Sequence, residues 1–246
     1  MCMRYALYTP MELLARQFGF RERPNLEPRY NLAPTQPVVT VCLKSPAHGE
    51  RPVPSMTLMR WGLVPSWSRE PMKGANLFNA RSETVAEKPA FKGPFRRRRC
   101  LIPLDGFYEW SENGQQQRDK RQPWFIRLKS REPFALAGIW DDWLGADGSE
   151  VQSCAILTTA AGPDIRHLHH RSPVLVPPAY YNRWLWEGGE LFLRAPPAGV
   201  LEAFRVSTRV NAVRHDDPAC MEALQEEEDA EASAVQSGQS DQFSLF

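Results

Sequence analysis

Proline limits this chain more than any other residue. It occurs 22 times in 246 residues. Each copy removes a backbone donor and fixes φ near about −65°, which excludes long helices and favours strands, turns and extended connections. Between the breaks lie runs rich in β-branched and aromatic residues, bounded by Gly, Pro or charged turns: 38–44, 56–64, 99–110, 123–129, 134–143, 151–159 and 174–176. These predict strands. One helix is predicted near the start, with Thr9 as cap, Pro10 in the first helical position and Glu12 completing a capping box. Leu13, Leu14 and Phe18 form its apolar face, and Gly19 ends it. Shorter helices are expected at 82–87, 178–186 and 198–204. No repeat of fixed period is present. Many strands with a few peripheral helices give an α+β class, built on a curved or barrel-like, mostly antiparallel sheet.

Hydrophobic residues make up 42% and charged residues 24% of the chain, ordinary values for a globular domain with a buried core. The apolar runs fall short of the ~20 residues that cross a bilayer. The opening MCMRYALYTP lacks the basic start and apolar stretch of a signal peptide, so the expected location is cytoplasmic. The net charge of +1 hides an asymmetry, because residues 221–246 hold seven acidic groups and no Lys or Arg, which leaves +8 on residues 1–220. A basic body with an acidic tail hints at a nucleic-acid partner and, with it, at the nucleoid. The boundary divides a folded unit, 1–220, from an acidic, small-residue-rich tail, 221–246, expected to be disordered because it buries too little apolar area to offset its ordering entropy.

Of five cysteines, no two form a C-x-x-C pair, and no metal-ligand cluster or Gly-rich phosphate loop is apparent, so neither metal nor cofactor is expected. Cys42, Cys100 and Cys154 sit in apolar strand-like runs and read as small core residues. Cys2 differs by position. A residue this small after Met1 normally permits removal of Met1, which would leave Cys2 with a free α-amine and a thiol on adjacent carbons. The amine titrates near about 7.7–8.0 and the thiol near about 8.5, so both are partly nucleophilic at neutral pH. Such a 1,2-aminothiol captures aldehydes: the amine forms a Schiff base, and the sulfur closes on it intramolecularly to a thiazolidine. Taken alone, a Cys at position two is more often exposed and incidental.

Eight segments stand out together: MCMRY at 1–5, YNLAPTQ at 30–36, MRWGLVPSW at 59–67, FNARSET at 78–84, RRCLIPLDGFYEW at 98–110, FALAGIWD at 134–141, CAILTTAA at 154–161 and LHHRSPVLV at 168–176. In this order they resemble the SRAP family, named for "SOS response-associated peptidase". The resemblance spans residues 2 to about 218. It implies the SRAP fold and a protein of the DNA damage response that recognises abasic sites in single-stranded DNA and links to them covalently through the amino-terminal Cys. An abasic deoxyribose opens to the aldehyde that an aminothiol captures. Carried over, the catalytic set is Cys2, Asn79, Glu109 and His169. A carboxylate and an imidazole suit the proton transfers of ring opening and Schiff-base formation. Tyr108 and Trp110 flank Glu109 and are expected to desolvate it, which helps it hold a proton. Asn79 has donors and acceptors for a sugar hydroxyl or phosphate. Read alone, Glu109 also fits a solvent-facing strand position, His169 a loop histidine and Asn79 a turn residue. Two positions depart from the family pattern: Met3 stands where Gly is usual, and Ser172 where Met is usual.

For DNA, Arg4 and Arg81 lie in matched segments and suit phosphates. Trp61 and Trp67 can stack on flanking bases, with core packing as the equal alternative. Asn31, Pro34 and Thr35 are placed to line the bend. The Arg96–Arg99 run reads as a solvated lead into the strand that follows. A cysteine peptidase, acting only on its own leader or more generally, would use the same Cys2 with His169 as base. A non-catalytic DNA-binding adaptor would need neither. A free amine is required only by the crosslinking reading. Finally QFSLF at 242–246, with Gln242, Leu245 and Phe246, resembles the pentapeptide through which bacterial proteins bind the DNA sliding clamp, with Phe243 where Leu is usual.

Overall fold

In the computed structural model of the chain, residues 3–46, 49–69, 77–111, 121–189 and 193–224 are described. Among them are thirteen strands: β1 (Tyr5–Leu7), β2 (Arg29–Leu32), β3 (Pro37–Lys44), β4 (Val53–Trp61), β5 (Asn79–Arg81), β6 (Arg99–Leu104), β7 (Gly106–Trp110), β8 (Pro123–Leu128), β9 (Phe134–Leu144), β10 (Glu150–Ala160), β11 (Arg171–Pro173), β12 (Leu175–Val176) and β13 (Leu201–Arg205). Three α-helices accompany them: α1 (Met11–Phe18), α2 (Pro89–Arg97) and α3 (Tyr181–Trp186). None is long and apolar enough to cross a membrane.

The expected barrel is present and closed. β3 pairs antiparallel with β4 and β6, β6 with β9, and β9 with β10. β10 completes the ring by lying parallel to β4. β5 and β11 extend β10, and β12 extends β9. Its buried side chains include Trp61, Leu101, Ile102, Ile139, Ile156 and Leu157. A second sheet, in the order β13-β8-β7-β1-β2, packs beside the barrel. The class is α+β with mostly antiparallel pairing, as expected.

The 99–110 run divides at Asp105 into β6 in the barrel and β7 in the second sheet. Asp105 is 4% exposed and holds the corner together. Its carboxylate accepts the N–H groups of Tyr8 (2.6 Å) and Thr9 (2.9 Å) and the Thr9 hydroxyl, while its own N–H donates to Ala6 O at 2.9 Å. The end of β1 and the entry to α1 are thereby tied to the β6–β7 junction.

That tie overturns one expectation. The Thr9 hydroxyl is committed to Asp105, Pro10 occupies the cap position of α1, and no side chain caps the helix. Its buried face is Leu14, Ala15 and Phe18, while Leu13 is 49% exposed. Gly19 ends it in the left-handed conformation, φ 75°, as predicted. Residues 82–87 form turns, and the helix begins later, at Pro89. In place of a helix at 198–204, residues 198–200 form a turn and Leu201–Arg205 forms β13, because β8 offers a full ladder from Leu201↔Leu128 to Arg205↔Trp124 that outweighs local helix propensity. The arginine run is only partly solvated. Arg99 is buried, and its guanidinium donates to the carbonyls of Phe95 (3.0 Å), Arg96 (2.6 Å), Trp184 (2.9 Å), Leu185 (3.3 Å) and Trp186 (2.9 Å). A cation thus satisfies the orphan carbonyls at the ends of α2 and α3, where the helix dipoles favour positive charge. The body also continues past residue 220: Ala223 bridges to Val206, and the Leu224 N–H donates to Arg205 O at 2.9 Å.

Replacing Asp105 by Ala orphans two partly buried N–H groups and removes a third bond, so Asp105→Ala should lower the unfolding free energy by about 3 kcal/mol in urea denaturation. Asp105→Asn keeps one acceptor oxygen and should lose about half as much.

Candidate functional site

β1 is the element that brings the chain's start to the site. It lies between β2 and β7, with Tyr5 opposite Phe107 and Ala6 opposite Gly106. The Tyr108 N–H donates to Arg4 O at 2.9 Å, so the same register places residue 3 level with Glu109. Gly106 is required here: a Cβ would lie 2.3 Å from Phe125 Cζ and 2.8 Å from Ile126 O. Tyr5 is fully buried and packs on Trp61 at a ring separation of 5.4 Å, and the Trp61 indole N–H donates to Phe78 O at 3.0 Å.

At this end of the second sheet a cleft of about 480 Å³ is lined by Met3, Arg4, Ala33, Pro34, Glu109, Trp110, Arg121, His169, Asn211 and Val213. Glu109 is 2% exposed on β7. His169 comes from the barrel side, on the loop between β10 and β11. Its Nδ1 accepts the Arg171 N–H at 2.8 Å and also lies 3.2 Å from Arg171 O, so one residue of the same loop holds the ring. Arg171 fixes that loop in turn, reaching Glu83 with both terminal nitrogens (2.6 and 3.0 Å) and Thr158 O at 2.7 Å. The Arg of HHRSP and the Glu of NARSET are therefore one bidentate pair. Asn79, at the start of β5, donates from Nδ2 to the Met3 sulfur at 3.5 Å. The bulk that Met3 adds in place of Gly is thus spent on the cleft wall and on Asn79. Ser172 is buried and donates to Pro173 O at 3.0 Å.

Four of the predicted residues, Arg4, Pro34, Glu109 and His169, share this cleft, and Asn79 touches its wall at Met3. Cys2 lies outside the described residues, one peptide bond from Met3. Gln242, Leu245 and Phe246 lie outside them too. Asn31 is fully buried behind Arg4: its Oδ1 accepts from Arg4 Nη1 at 3.1 Å, and its Nδ2 donates to Val210 O, Ala212 O and His215 O. It therefore positions Arg4 and is sealed from any ligand. Thr35 is exposed beside Pro34 at φ 74°, a conformation costly for a β-branched residue, and its N–H is held by Trp61 O at 2.7 Å. Arg81 is exposed at the far end of β5, and Trp67 is 66% exposed. Trp61 offers no face to a base; fully buried, it packs the core and holds Tyr5. Sequence reasoning missed Arg121, Asn211 and Val213 as cleft residues, and named Trp110 only as a neighbour of Glu109.

The described cysteines, Cys42, Cys100, Cys154 and Cys220, are all buried. Burial pushes the Cys42 thiol up to about 11 and that of Cys154 up to about 12. Cys100 and Cys220 are raised by burial as well. These thiols stay protonated at neutral pH and are poor nucleophiles.

Comparison with known proteins fits this arrangement. The family model described as "SOS response associated peptidase (SRAP)" matches residues 1–213. The abasic site processing protein YoqW of Bacillus subtilis is 31% identical over 232 residues, covering 91% of this chain and 100% of that protein. The abasic site processing protein HMCES of Mus musculus is 30% identical over 273 residues, covering 90% of this chain and 75% of its own. A solved structure from Bacteroides thetaiotaomicron shares the fold, with a TM-score of 0.78 at 21% identity, over 91% of this chain and 100% of that one. One from Bordetella bronchiseptica gives 0.69 at 26% identity, over 84% of this chain and 100% of that one. With the family pattern running from β1 to just beyond β13 and its motif residues gathered around one cleft, the chain belongs to the SRAP family.

Proposed function

We propose that this protein processes abasic sites in single-stranded DNA by forming a thiazolidine between Cys2, with Met1 removed, and the C1 aldehyde of the opened deoxyribose. The observation that carries the reading is the convergence of Met3, Glu109 and His169 on one cleft, with Asn79 bonded to Met3, one residue from the aminothiol. The names of the relatives point to the same substrate.

The chemistry balances without a cofactor. The α-amine adds to the aldehyde, and the resulting carbinolamine loses water to give the Schiff base. The Cys2 thiolate then adds to the imine carbon, and the nitrogen takes up a proton as the C–S bond forms. Sugar opening requires a proton on the ring oxygen, and loss of water requires one on the carbinolamine oxygen. The His169 imidazole and the Glu109 carboxyl carry these protons. The peptidase reading uses the Cys2 thiol alone and leaves its amine without a role.

If Glu109 and His169 transfer protons, Glu109→Gln and His169→Ala should each slow crosslink formation by about 10²-fold in a denaturing-gel time course. Affinity for an aldehyde-free abasic analogue should stay within about twofold. Equal losses of affinity and rate would reject the assignment.

We further propose that Gln242, Leu245 and Phe246 bind the sliding clamp, with the residues between Leu224 and Gln242 as the tether that raises the body's effective concentration at replicating DNA. Removing residues 242–246 should abolish binding to the clamp of the same organism in calorimetry while crosslinking of free oligonucleotides continues. An intact chain that shows no clamp binding at about 100 μM would end this reading.

A further inference from the structure

Two guanidinium groups line the cleft, Arg4 and Arg121, and their situations differ. Arg4 is engaged by the protein. Its Nη1 donates to Asn31 Oδ1 at 3.1 Å and Val210 O at 2.8 Å, and its Nη2 to Asn211 O at 3.4 Å. It braces the chain entering β1 against the 208–211 turn, and burial lowers its pKa from the ordinary arginine value. Arg121 stands just outside β8, where the β7–β8 hairpin opens. Trp110 pairs with Pro123, and the Ser111 N–H donates to Gln122 O at 3.2 Å. Gln122 is pinned by Nε2 bonds to Pro123 O and Val206 O, both 2.8 Å. The backbone beside Arg121 is therefore fixed, yet no described residue forms a hydrogen bond or ion pair with its side chain. Its Nε is shut off from solvent without an acceptor.

A half-buried cation with uncommitted donors in a substrate cleft is complementary to an anion, and a donor left unmade is costly until one arrives. Among the described residues lining the cleft, Glu109 is the one carboxylate, and the abasic reading gives it proton transfer. Abasic DNA supplies another anion: the nucleotide to be captured carries phosphodiesters on both sides of its sugar. The planar fork of an arginine matches two oxygens of one phosphate. We propose that Arg121 binds a phosphodiester flanking the abasic nucleotide and so sets the sugar in the cleft beside Met3, where the chain leads back to Cys2. The inference rests on the abasic-DNA reading and adds a phosphate-binding residue to it.

The test uses full-length protein and a single-stranded oligonucleotide carrying a tetrahydrofuran abasic analogue, which has no aldehyde and reports binding alone. By fluorescence anisotropy, Arg121→Ala should bind about tenfold more weakly. Its plot of log affinity against log salt should be shallower by ~0.7, the contribution of one phosphate contact on a single strand. Arg121→Lys keeps the charge and should keep the slope. A neutral methylphosphonate at one flanking position should weaken the wild-type protein and leave Arg121→Ala unaffected. Wild-type affinity and slope in a folded Arg121→Ala would overturn the proposal. So would a wild-type protein indifferent to methylphosphonates on both sides of the lesion, a result that needs no variant to fold. The abasic reading is judged separately, by wild-type crosslinking to an aldehyde-bearing oligonucleotide. If that occurs and the Arg121 effects do not, only the phosphate assignment fails.

Discussion

The buried carboxylate of Asp105 sits where three parts of the chain meet: the barrel strand β6, the strand β7 that carries Glu109, and the turn from β1 into α1. β1 has only three residues. So short a strand cannot hold its register by pairing alone, and a slip of one residue would turn its side chains to the opposite face. The bonds to Tyr8 and Thr9, with Ala6 O accepting the Asp105 N–H, fix the register from one end. From that fixed point, pairing with β7 carries the chain back to Met3 and the cleft. Burial raises the Asp105 pKa, opposed by the hydrogen bonds from Thr9 and Tyr8, so the corner is held by a carboxylate that the fold desolvates and then compensates.

Much of the charge around the cleft is structural. The pair between Arg171 and Glu83 joins the His169 loop to the turn after β5, and Thr158 O takes a further Arg171 donor. Asn31 and the 210–211 carbonyls do the same for Arg4. Each holds a segment beside the cleft, and a histidine from the barrel side and a glutamate on the second sheet line it together. The site lies where two independently paired sheets meet, so its residues come from distant parts of the sequence.

How legible this was depended on the length and surroundings of each element. Long strands such as β3, β9 and β10 were evident, because runs of eight to eleven residues carry their own signal. The strands that place the site, β1, β2 and β5, have three or four residues, too few for any periodicity to register. The stretch AGVLEAF contains good helix formers, and only the ladder to β8 makes its end a strand. Trp61 was readable in principle: Met59, Trp61 and Leu63 are all fully buried while Leu58 is 45% exposed, an alternation that marks an inward face. Glu109 and His169 were named through family motifs, since neither has a local pattern that singles it out. Arg121 follows the polar run ENGQQQRDK, which has the composition of any solvent-exposed loop. Only folding brings it beside Glu109 and His169.

The central claim is that the aminothiol of Cys2 is the reacting group and the cleft of Glu109 and His169 its catalyst. It is tested most directly by intact-mass analysis of the protein after reaction with single-stranded abasic DNA under denaturing, non-reducing conditions. The account predicts a heat-stable adduct, formed without borohydride, whose mass equals protein lacking Met1 plus oligonucleotide minus one water, mapping to Cys2 and absent from Cys2→Ser. A stable adduct that persists in Cys2→Ser, or forms normally on protein retaining Met1, would contradict it.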